Sequence, residues 1–547
     1  SEMCIRDSIG TGRFGQWLDG VVDWALSRNR FWGTPLPIWQ CESCGELHCI
    51  GSYSELQELS GFEADDLYDQ SKFNPHRPFV DELTWECAEC GGKMRRVPHV
   101  IDCWFDSGAM PFAQHHYPFE HKDDIDGGAQ FPADFISEAL EQTRGWFYTL
   151  HAIATMVKDS PAFKNCLVLG LIMDEKGHKM SKSKGNVADP WKVIDRQGAD
   201  AFRWYFLSAT APWVSTRYSE TAVVNSLQKF LIPLWNVYSF FVIYANIDDF
   251  DPASPAKPWD EREQLDRWIL IKYNRLAREV TENLDNYRIT EAARSIEGFL
   301  DILSNWYVRR SRRRFWQSEK DDSKWNAYRT LYEILAGFSR LIAPFTPFLA
   351  EELHQKLVRP FSPDAPVSVH LCDYPVADRA VSQPELEAGM DAALRVVKLG
   401  HAARNLSKIK VRQPLGGVTL VTNDTHLPDV IEPYSDIIKD ELNIKSIGWA
   451  EEAKDYVDYQ IKPDFARLGP RLGRQIREVQ KLLASSPASE LVTQLSETGQ
   501  IVLNTSAGEV KLESEDLDVR LVEKAVSYTH LRAHETSLHL VCRLLLE

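Results

Sequence analysis

Apolar positions along the chain change their spacing twice. From Gly10 to about Val100 short aromatic runs alternate with proline turns, and no long period holds. From Ile101 to Pro212 strand-like and helix-like runs alternate. Ala133 to Ile136 leads into the helical Arg144 to Val157, and Cys166 to Met173 is a continuous apolar run of strand length. Asp189-Pro190 offers an N-cap followed by proline at the first helical position, and Ala199 to Ser208 is again helical. Such alternation predicts part of an open α/β sheet. From about Trp213 to Val369 the spacing is helical throughout. Leu265, Ile269, Tyr273, Leu276, Val280, Leu284 and Tyr287 form one stripe, and Ala292, Ile296, Phe299, Leu303 and Trp306 a second. Leu331, Leu335, Phe338 and Ile342 form a third, which stops near Pro344 and Pro347, so a helix bundle is predicted, with Asp251 to Trp259 as a loop inside it. The apolar stretch Phe230 to Ala245 is interrupted by Pro233, Asn236 and Ser239 and falls short of the ~20 residues of a membrane span, which predicts a buried helix. Beyond Asp373 the chain is mixed, with strands expected at Val418 to Val421 and Val510 to Leu512.

Composition narrows the class. At roughly 150 residues per domain, 547 residues make about three or four domains. A hydrophobic share of 44% with 26% charged residues excludes wholesale disorder. A net charge of -17 argues against a generally basic nucleic-acid coat and leaves room for local cationic patches. Ten cysteines are too few for a disulfide scaffold in a chain this long. Ser1 to Ser8 (SEMCIRDS) lacks the basic-then-apolar pattern of a signal peptide. Residues 1–8 and 526–547 read as translated sequencing-adaptor sequence, foreign to the fold, which implies a fragment of a longer protein; native terminal elements are the alternative.

Cys41-Glu42-Ser43-Cys44-Gly45 and Cys87-Ala88-Glu89-Cys90-Gly91 are matched Cys-x-x-Cys-Gly units. Two intervening residues let both thiolates of a unit reach one ion, and the glycine after each can take positive φ. The expectation is Zn2+ on Cys41, Cys44, Cys87 and Cys90, structural because four thiolates leave no open coordination position. The alternative is a set of unliganded buried thiols. His48, Cys49 and His99 rank behind the four as ligands.

Gly177-His178-Lys179-Met180-Ser181-Lys182-Ser183-Lys184-Gly185-Asn186 follows the last apolar strand and precedes a capped helix. Three lysines, two serines and flanking glycines suit a polyphosphate at the carboxyl edge of a sheet, although composition alone favours a solvated turn. Arg309-Arg310-Ser311-Arg312-Arg313-Arg314 concentrates cations beside Trp306, Tyr307, Phe315 and Trp316, rings suited to stacking on unpaired bases. A solvated helix end is the alternative there. Lys408, Lys410 and Arg412 make a weaker basic strip, and His115, His116 and His121 receive no role.

The order of residues in the lysine loop resembles the KMSKS signature of class I aminoacyl-tRNA synthetases. Ser27-Arg28-Asn29-Arg30-Phe31-Trp32-Gly33-Thr34-Pro35, Trp104 to Gly108 (WFDSG) and Glu138 to Trp146 (EALEQTRGW) are similar to isoleucyl-tRNA synthetases in particular. So are His401 to Arg404 and Lys410 to Pro414. The valyl relatives usually differ around the tryptophan-containing runs. The resemblance implies a multidomain α/β plus all-α protein. Residues 9–100 would be the segment after the editing insertion, with the zinc module, and 101–212 the second half of a Rossmann-type catalytic domain. Residues 213–380 would be a helical anticodon-binding bundle and 381–525 a mixed α+β C-terminal domain. It implies ATP with Mg2+ as co-substrate, L-isoleucine and tRNA(Ile) as partners, no membrane, a monomer, and a cytoplasmic location.

By the same resemblance, Lys182 is the main contact to the pyrophosphate leaving group and Lys179 assists, with Met180, Ser181 and Ser183 completing the nucleotide-binding loop. Glu138 contacts the adenylate, while Glu141 and Gln142 lie near its ribose; the family more often has Asp where Glu141 stands. Trp104 and Trp146 line the isoleucine pocket, where rings supply a dry rigid wall. Arg309, Arg310, Arg312, Arg313 and Arg314 would meet tRNA. An apolar pocket separates isoleucine from valine by only ~1–3 kcal/mol, so the family adds an editing domain upstream of the Ser27 string. That domain, and the His-x-Gly-His signature that pairs with KMSKS, do not occur in this sequence, which implies a chain inactive alone. A valyl-tRNA synthetase relative and a non-catalytic zinc-containing RNA-binding protein remain the other readings.

Overall fold

The apolar run before the lysine loop forms the strand Phe163–Leu169, which pairs in parallel with Ala133–Ala139. A parallel pair requires a crossover. Here it is the 3-10 turn Leu140–Arg144 followed by the helix Trp146–Lys158. Phe147, Leu150, Ile153 and Ala154 of that helix join Phe163, Cys166 and Val168 of the strand in one buried cluster with Phe14, Phe112, Ile125 and Phe131. A shorter parallel pair, Ile172–Met173 with Thr216–Arg217, continues the α/β segment. The computed structural model describes residues 8–62, 73–254, 257–422, 424–450, 457–506, 508–523 and 539–543. Of the two adaptor-like ends only Ser8 and His539–Arg543 fall within these.

The chain divides into two compact units, Ser1–Ala256 with Arg275–Ala377, and Lys257–Asn274 with Asp378–Glu547. In the first, Leu47–Cys49, Ile38–Cys41, Lys93–Arg96 and Trp85–Glu86 form a four-stranded antiparallel sheet in that order. Its core is Trp39, Ile50, Leu56, Val80 and Met94. The helices Ile232–Asp248, Ile289–Ile302, Arg309–Trp316, Asp322–Ile342 and Pro347–Leu357 follow. Ala292, Ile296, Leu331, Leu335, Phe338 and Ile342 are fully buried, so the second and third stripes are core faces. The first stripe is overextended by one position. The helix Gln264–Asp285 stops before Tyr287, which takes φ 56 and stacks on Phe135 at 5.1 Å.

The apolar stretch at Phe230 also needs correcting. Counted with the turns before it, the helical run Glu220–Asp248 has 29 residues and is long and apolar enough to cross a membrane by length and composition. Its Phe230, Leu234, Val237 and Phe241 are nevertheless buried in the protein. Phe230 stacks on Trp204 at 3.7 Å between ring centroids, and the Trp204 indole N–H donates to Glu297 at 3.1 Å. The buried Asp200 accepts the Leu349 amide at 2.7 Å and so caps the helix Pro347–Leu357; desolvation pushes its carboxyl up. Deeper in the bundle, Asp248 meets Lys324 Nζ at 2.5 Å and the Tyr328 hydroxyl at 2.6 Å, and Lys324 also donates to the Gln317 carbonyl at 2.7 Å.

In the second unit Leu415–Val421 lies between two parallel neighbours, Ile444–Ala450 and His539–Arg543. The hairpin Gln500–Thr505 with Gly508–Glu513 and the pair Val457–Pro463 with Leu517–Glu523 are antiparallel. Both strands expected here from the sequence are present. Arg404 is fully buried and donates to the carbonyls of Lys410, Gln413, Leu442 and Asn443, so it fixes the turn into the central strand.

Candidate active site and metal centre

Glu138 and Ala139 end one strand beside Val168 and Leu169, which end its parallel neighbour. In open α/β sheets ligands bind outside such carboxyl ends. Glu138 and Glu141 are exposed, whereas Gln142 turns in, its Oε1 accepting the Trp146 backbone N–H at 3.1 Å to cap the next helix. A Cβ on Gly145 would stand 3.1 Å from the Trp104 ring and 2.7 Å from Gln142 Oε1. Glycine there lets the Trp104 indole lie against the backbone beside Trp146. The Trp146 Nε1 donates to the Ser107 carbonyl at 3.1 Å, on the helix Cys103–Ala113 that carries Trp104. The two tryptophans singled out from the sequence therefore lie on adjoining elements around Gly145; Trp104 keeps 41% of its surface exposed.

One residue without an assigned role supports them. Asp102, 5% exposed, accepts Arg28 Nη2 at 2.6 Å and the Trp24 indole at 3.0 Å, and it caps the helix at Trp104. It thereby ties the Ser27-Arg28 string to the Trp104 string. Sequence reasoning missed Asp102 because a single acidic N-cap carries no periodic signal.

The lysine loop leaves the neighbouring strand end through Gly170, where a Cβ would stand 2.5 Å from the Val214 backbone. Asp174 and Asn186 lace its base. Asn186 Nδ2 donates to Asp174 Oδ2 at 2.9 Å, and Asn186 Oδ1 accepts the Ser181 amide at 2.9 Å. Asp174 also accepts the amides of His178 and Lys176, and the Asn186 amide first, then the His178 N–H, hold its carboxyl below the usual range. Gly177 and Gly185 take φ 84 and φ 65 at the two bends. Lys179, Lys182 and Ser183 are exposed, Met180 and Ser181 half-buried, and among the described residues none of the loop lysines makes an ion pair. The ammonium groups thus stand on a braced base and are free to meet a polyanion. Asp174 had no signal in the sequence, since a pairing across twelve positions leaves no pattern.

The two cysteine units form mirror-like knuckles. The Cys41 amide donates to the Glu46 carbonyl at 2.8 Å and the Cys87 amide to Gly92 at 2.7 Å, while Gly45 and Gly91 take φ 82 and φ 71. All four sulfurs lie within 4.8 Å of one another, with Cys41 to Cys90 at 3.4 Å and Cys44 to Cys87 at 3.8 Å. Tetrahedral zinc with Zn–S near 2.3 Å requires sulfurs about 3.8 Å apart, so the donor set fits. Backbone N–H groups of Cys44 and Ser43 hold the Cys41 thiol down at about 6. Cys44 goes up to about 12; the Glu46 amide lowers it, but the thiols of Cys90 and Cys41 outweigh that. A cation is what allows four such neighbours to ionise together. His48 is instead paired with Glu55 at 3.0 Å, and neither Cys49 nor His99 joins the cluster.

The arginine run lies on the helix Arg309–Trp316. Arg312 and Arg313 are exposed, Arg310 lies 5.5 Å over the Trp306 ring, and Arg309 Nε donates to the Asn305 carbonyl at 2.9 Å. Arg314 is tied to Ser323, through Oγ at 2.9 Å and the carbonyl at 2.5 Å. The stacking rings need correcting: Trp306, Tyr307 and Phe315 are 3%, 0% and 1% exposed, consumed by the bundle core, and only Trp316, at 56%, faces solvent.

Residues 2–215 match the model of tRNA synthetases class I (I, L, M and V), and residues 266–419 match the anticodon-binding domain of tRNA ligases. An isoleucine–tRNA ligase of Clostridium tetani is 49% identical over 94% of this chain and 48% of its own length. One from Thermus thermophilus is 48% identical over 88% of this chain and 45% of its own. The chain belongs to the isoleucyl-tRNA synthetases of class I. It spans about half the length of the curated relatives it matches. Among solved structures, the LeuRS–tRNA–LeuAMS complex of Agrobacterium radiobacter K84 is 21% identical, covers 70% of this chain and 47% of that one, and has a TM-score of 0.49. The strand-end glutamates, both indoles, the lysine loop and the four cysteines of this synthetase chain all lie in the class I match, and the arginine helix lies in the anticodon-binding match.

Proposed function

We propose that this chain carries the lysine-loop side of an isoleucine-activating site, with the anticodon-binding part of the same enzyme. The supporting observation is the arrangement of three features along the chain's parallel strand pair: Glu138 on one strand end, the braced lysine loop after the next, and the tryptophans flanking Gly145. In this reading the isoleucine side chain rests between Trp104 and Trp146. Its carboxylate attacks the α-phosphorus of ATP, the bond to the β-phosphate oxygen breaks, and pyrophosphate leaves. Lys182 and Lys179 follow the negative charge that builds on that leaving group, while Met180, Ser181 and Ser183 shape the loop that closes over it. Glu138 positions the adenylate, and Glu141 and Gln142 its ribose; Mg2+ arriving with ATP shares the phosphate charge. The acyl group then passes to tRNA(Ile). Residues 9–100, 101–212, 213–380 and 381–525 serve as zinc module, catalytic half, anticodon bundle and C-terminal domain of a cytoplasmic monomer. Cys41, Cys44, Cys87 and Cys90 hold a structural Zn2+.

The test is Lys182→Ala in a protein of the relatives' full length. Isoleucine-dependent pyrophosphate exchange should fall about 10²–10³-fold in kcat with little change in KM for isoleucine, because the interaction is made mainly in the transition state. An unchanged rate discards the reading, and faster exchange with valine than with isoleucine reassigns the amino acid.

Arg309, Arg310, Arg312 and Arg313 contact tRNA phosphates in this reading, with Arg314 holding its helix to Ser323. Arg312→Ala/Arg313→Ala should weaken tRNA binding and reduce the slope of log affinity against log salt by about 1–2. A filter-binding salt series measures this, and an unaltered slope removes the pair from the interface.

A further inference from the structure

Beside the turn that carries Glu141 and Gln142, and apart from the cysteine cluster, Arg13, Gln16, Trp17, Gly20 and Arg144 line a recess of about 520 Å³. Both of its guanidinium groups are held in place. Arg13 Nε donates to Thr143 Oγ1 at 3.1 Å, and Thr143, fully buried, in turn donates to the Leu140 carbonyl at 2.9 Å. That bond uses the inner N–H of Arg13 and leaves its four outer N–H donors for a ligand. The Arg144 guanidinium lies 5.0 Å over the Trp17 ring, which is itself set edge-on to Tyr148 at 6.1 Å. Stacking of this kind fixes a guanidinium plane without occupying its in-plane N–H groups.

Two further facts point to an anion. Among the described residues neither guanidinium makes an ion pair, in a chain whose net charge is -17. The Trp17 indole N–H is buried and has no hydrogen-bond partner there. Buried donors are normally satisfied, so the structure around Trp17 is short of one acceptor. The Arg13 fork and the edge of Arg144 together ask for a compact group with several acceptor oxygens, and paired arginines match phosphate best.

We propose that the Arg13–Arg144 recess binds a phosphate group, carried by the nucleotide or by the RNA backbone. Only these two possible sources rest on the function proposed above; the recess itself rests on its donors. It leaves the same turn that carries Glu141 and Gln142, so the phosphate would sit beside the carboxyl edge of the sheet.

The test uses the chain as it stands. Pyrophosphate, ATP and an acceptor-stem hairpin ending in single-stranded CCA are titrated against wild type, Arg13→Gln/Arg144→Gln and Arg13→Lys/Arg144→Lys, with circular dichroism as the check on folding. At least one ligand should lose about tenfold or more in affinity with the glutamine pair, the cost of charge-assisted hydrogen bonds removed. The lysine pair should fall between. A loss confined to the hairpin assigns an RNA phosphate, and a loss with ATP or pyrophosphate assigns the nucleotide. Equal affinities of wild type and the glutamine pair for all three ligands overturn the proposal, as does a wild type that binds none of them. An anticodon stem-loop of tRNA(Ile) separates the two readings. Failure of wild type to bind it counts against the anticodon role and leaves the recess standing; binding of it with an unresponsive recess counts only against the recess.

Discussion

Cys87→Ala is expected to reduce zinc from one ion per chain to none and to unfold the sheet built from residues 38–49 and 85–96. Cys87 is buried among Trp39, Val80 and Met94, and its sulfur is 3.8 Å from Cys44. The knuckles enclose little else, so the ion would hold the module together. Apparent zinc-binding free energies for such sites are on the order of 10 kcal/mol at neutral pH, whereas a core this small rarely leaves more than about 3–5 kcal/mol net. Elemental analysis of protein purified without chelator gives the stoichiometry. Hydrogen exchange should show lost protection in residues 38–49 and 85–96 while the bundle stays protected. An unchanged zinc content in Cys87→Ala would eliminate the four-thiolate site. Acid should release the metal from wild type too, because each ligand must lose its proton to bind.

Lys324→Met should cost about 3–5 kcal/mol of stability, since it leaves the Asp248 carboxylate buried without its cation. The pH dependence should also change sign. In wild type the Asp248 carboxyl is lowered: burial raises it, but the Lys324 and Tyr328 hydrogen bonds outweigh that. Its contribution is therefore full above the unfolded value of about 3.9 and is lost as pH falls through the lower folded value. Without Lys324 burial is opposed only by the tyrosine and the weaker pull of Lys320, the folded carboxyl rises, and the variant's deficit should shrink as the solution is acidified. Denaturant melts from pH 7 to pH 4 measure both curves. Parallel curves would mean that the pair contributes nothing specific. Asp248→Asn/Lys324→Met should recover part of the loss, because no uncompensated charge remains.

How much of this was legible in the residues depends on whether a feature leaves a local pattern. The buried stripes at Ile296 and Leu335 repeat every three or four positions, and the cysteine knuckles have fixed spacing with a glycine to turn on, so both could be read directly. Tyr287 fits the stripe numerically but lies past the helix end, where a left-handed backbone angle turns it onto Phe135; periodicity is blind to that. Trp306, Tyr307 and Phe315 neighbour the arginines in sequence yet are buried in the bundle core, so nearness along the chain misled. Asp102 and Asp174 act in part through contacts to residues 74 and 12 positions away, which only the folded chain brings together. The likeness to a known family named the lysines and tryptophans; it gave no account of what braces them.

Gly170 sits where the segment before the lysine loop crosses the backbone of Val214 and Ser215 with no space for a methyl group. The position is consequently closed to evolutionary drift. Even alanine would pry apart Ile172–Met173 and Thr216–Arg217, the short ladder from which the loop hangs. Descendants that retain this crossing must retain the glycine.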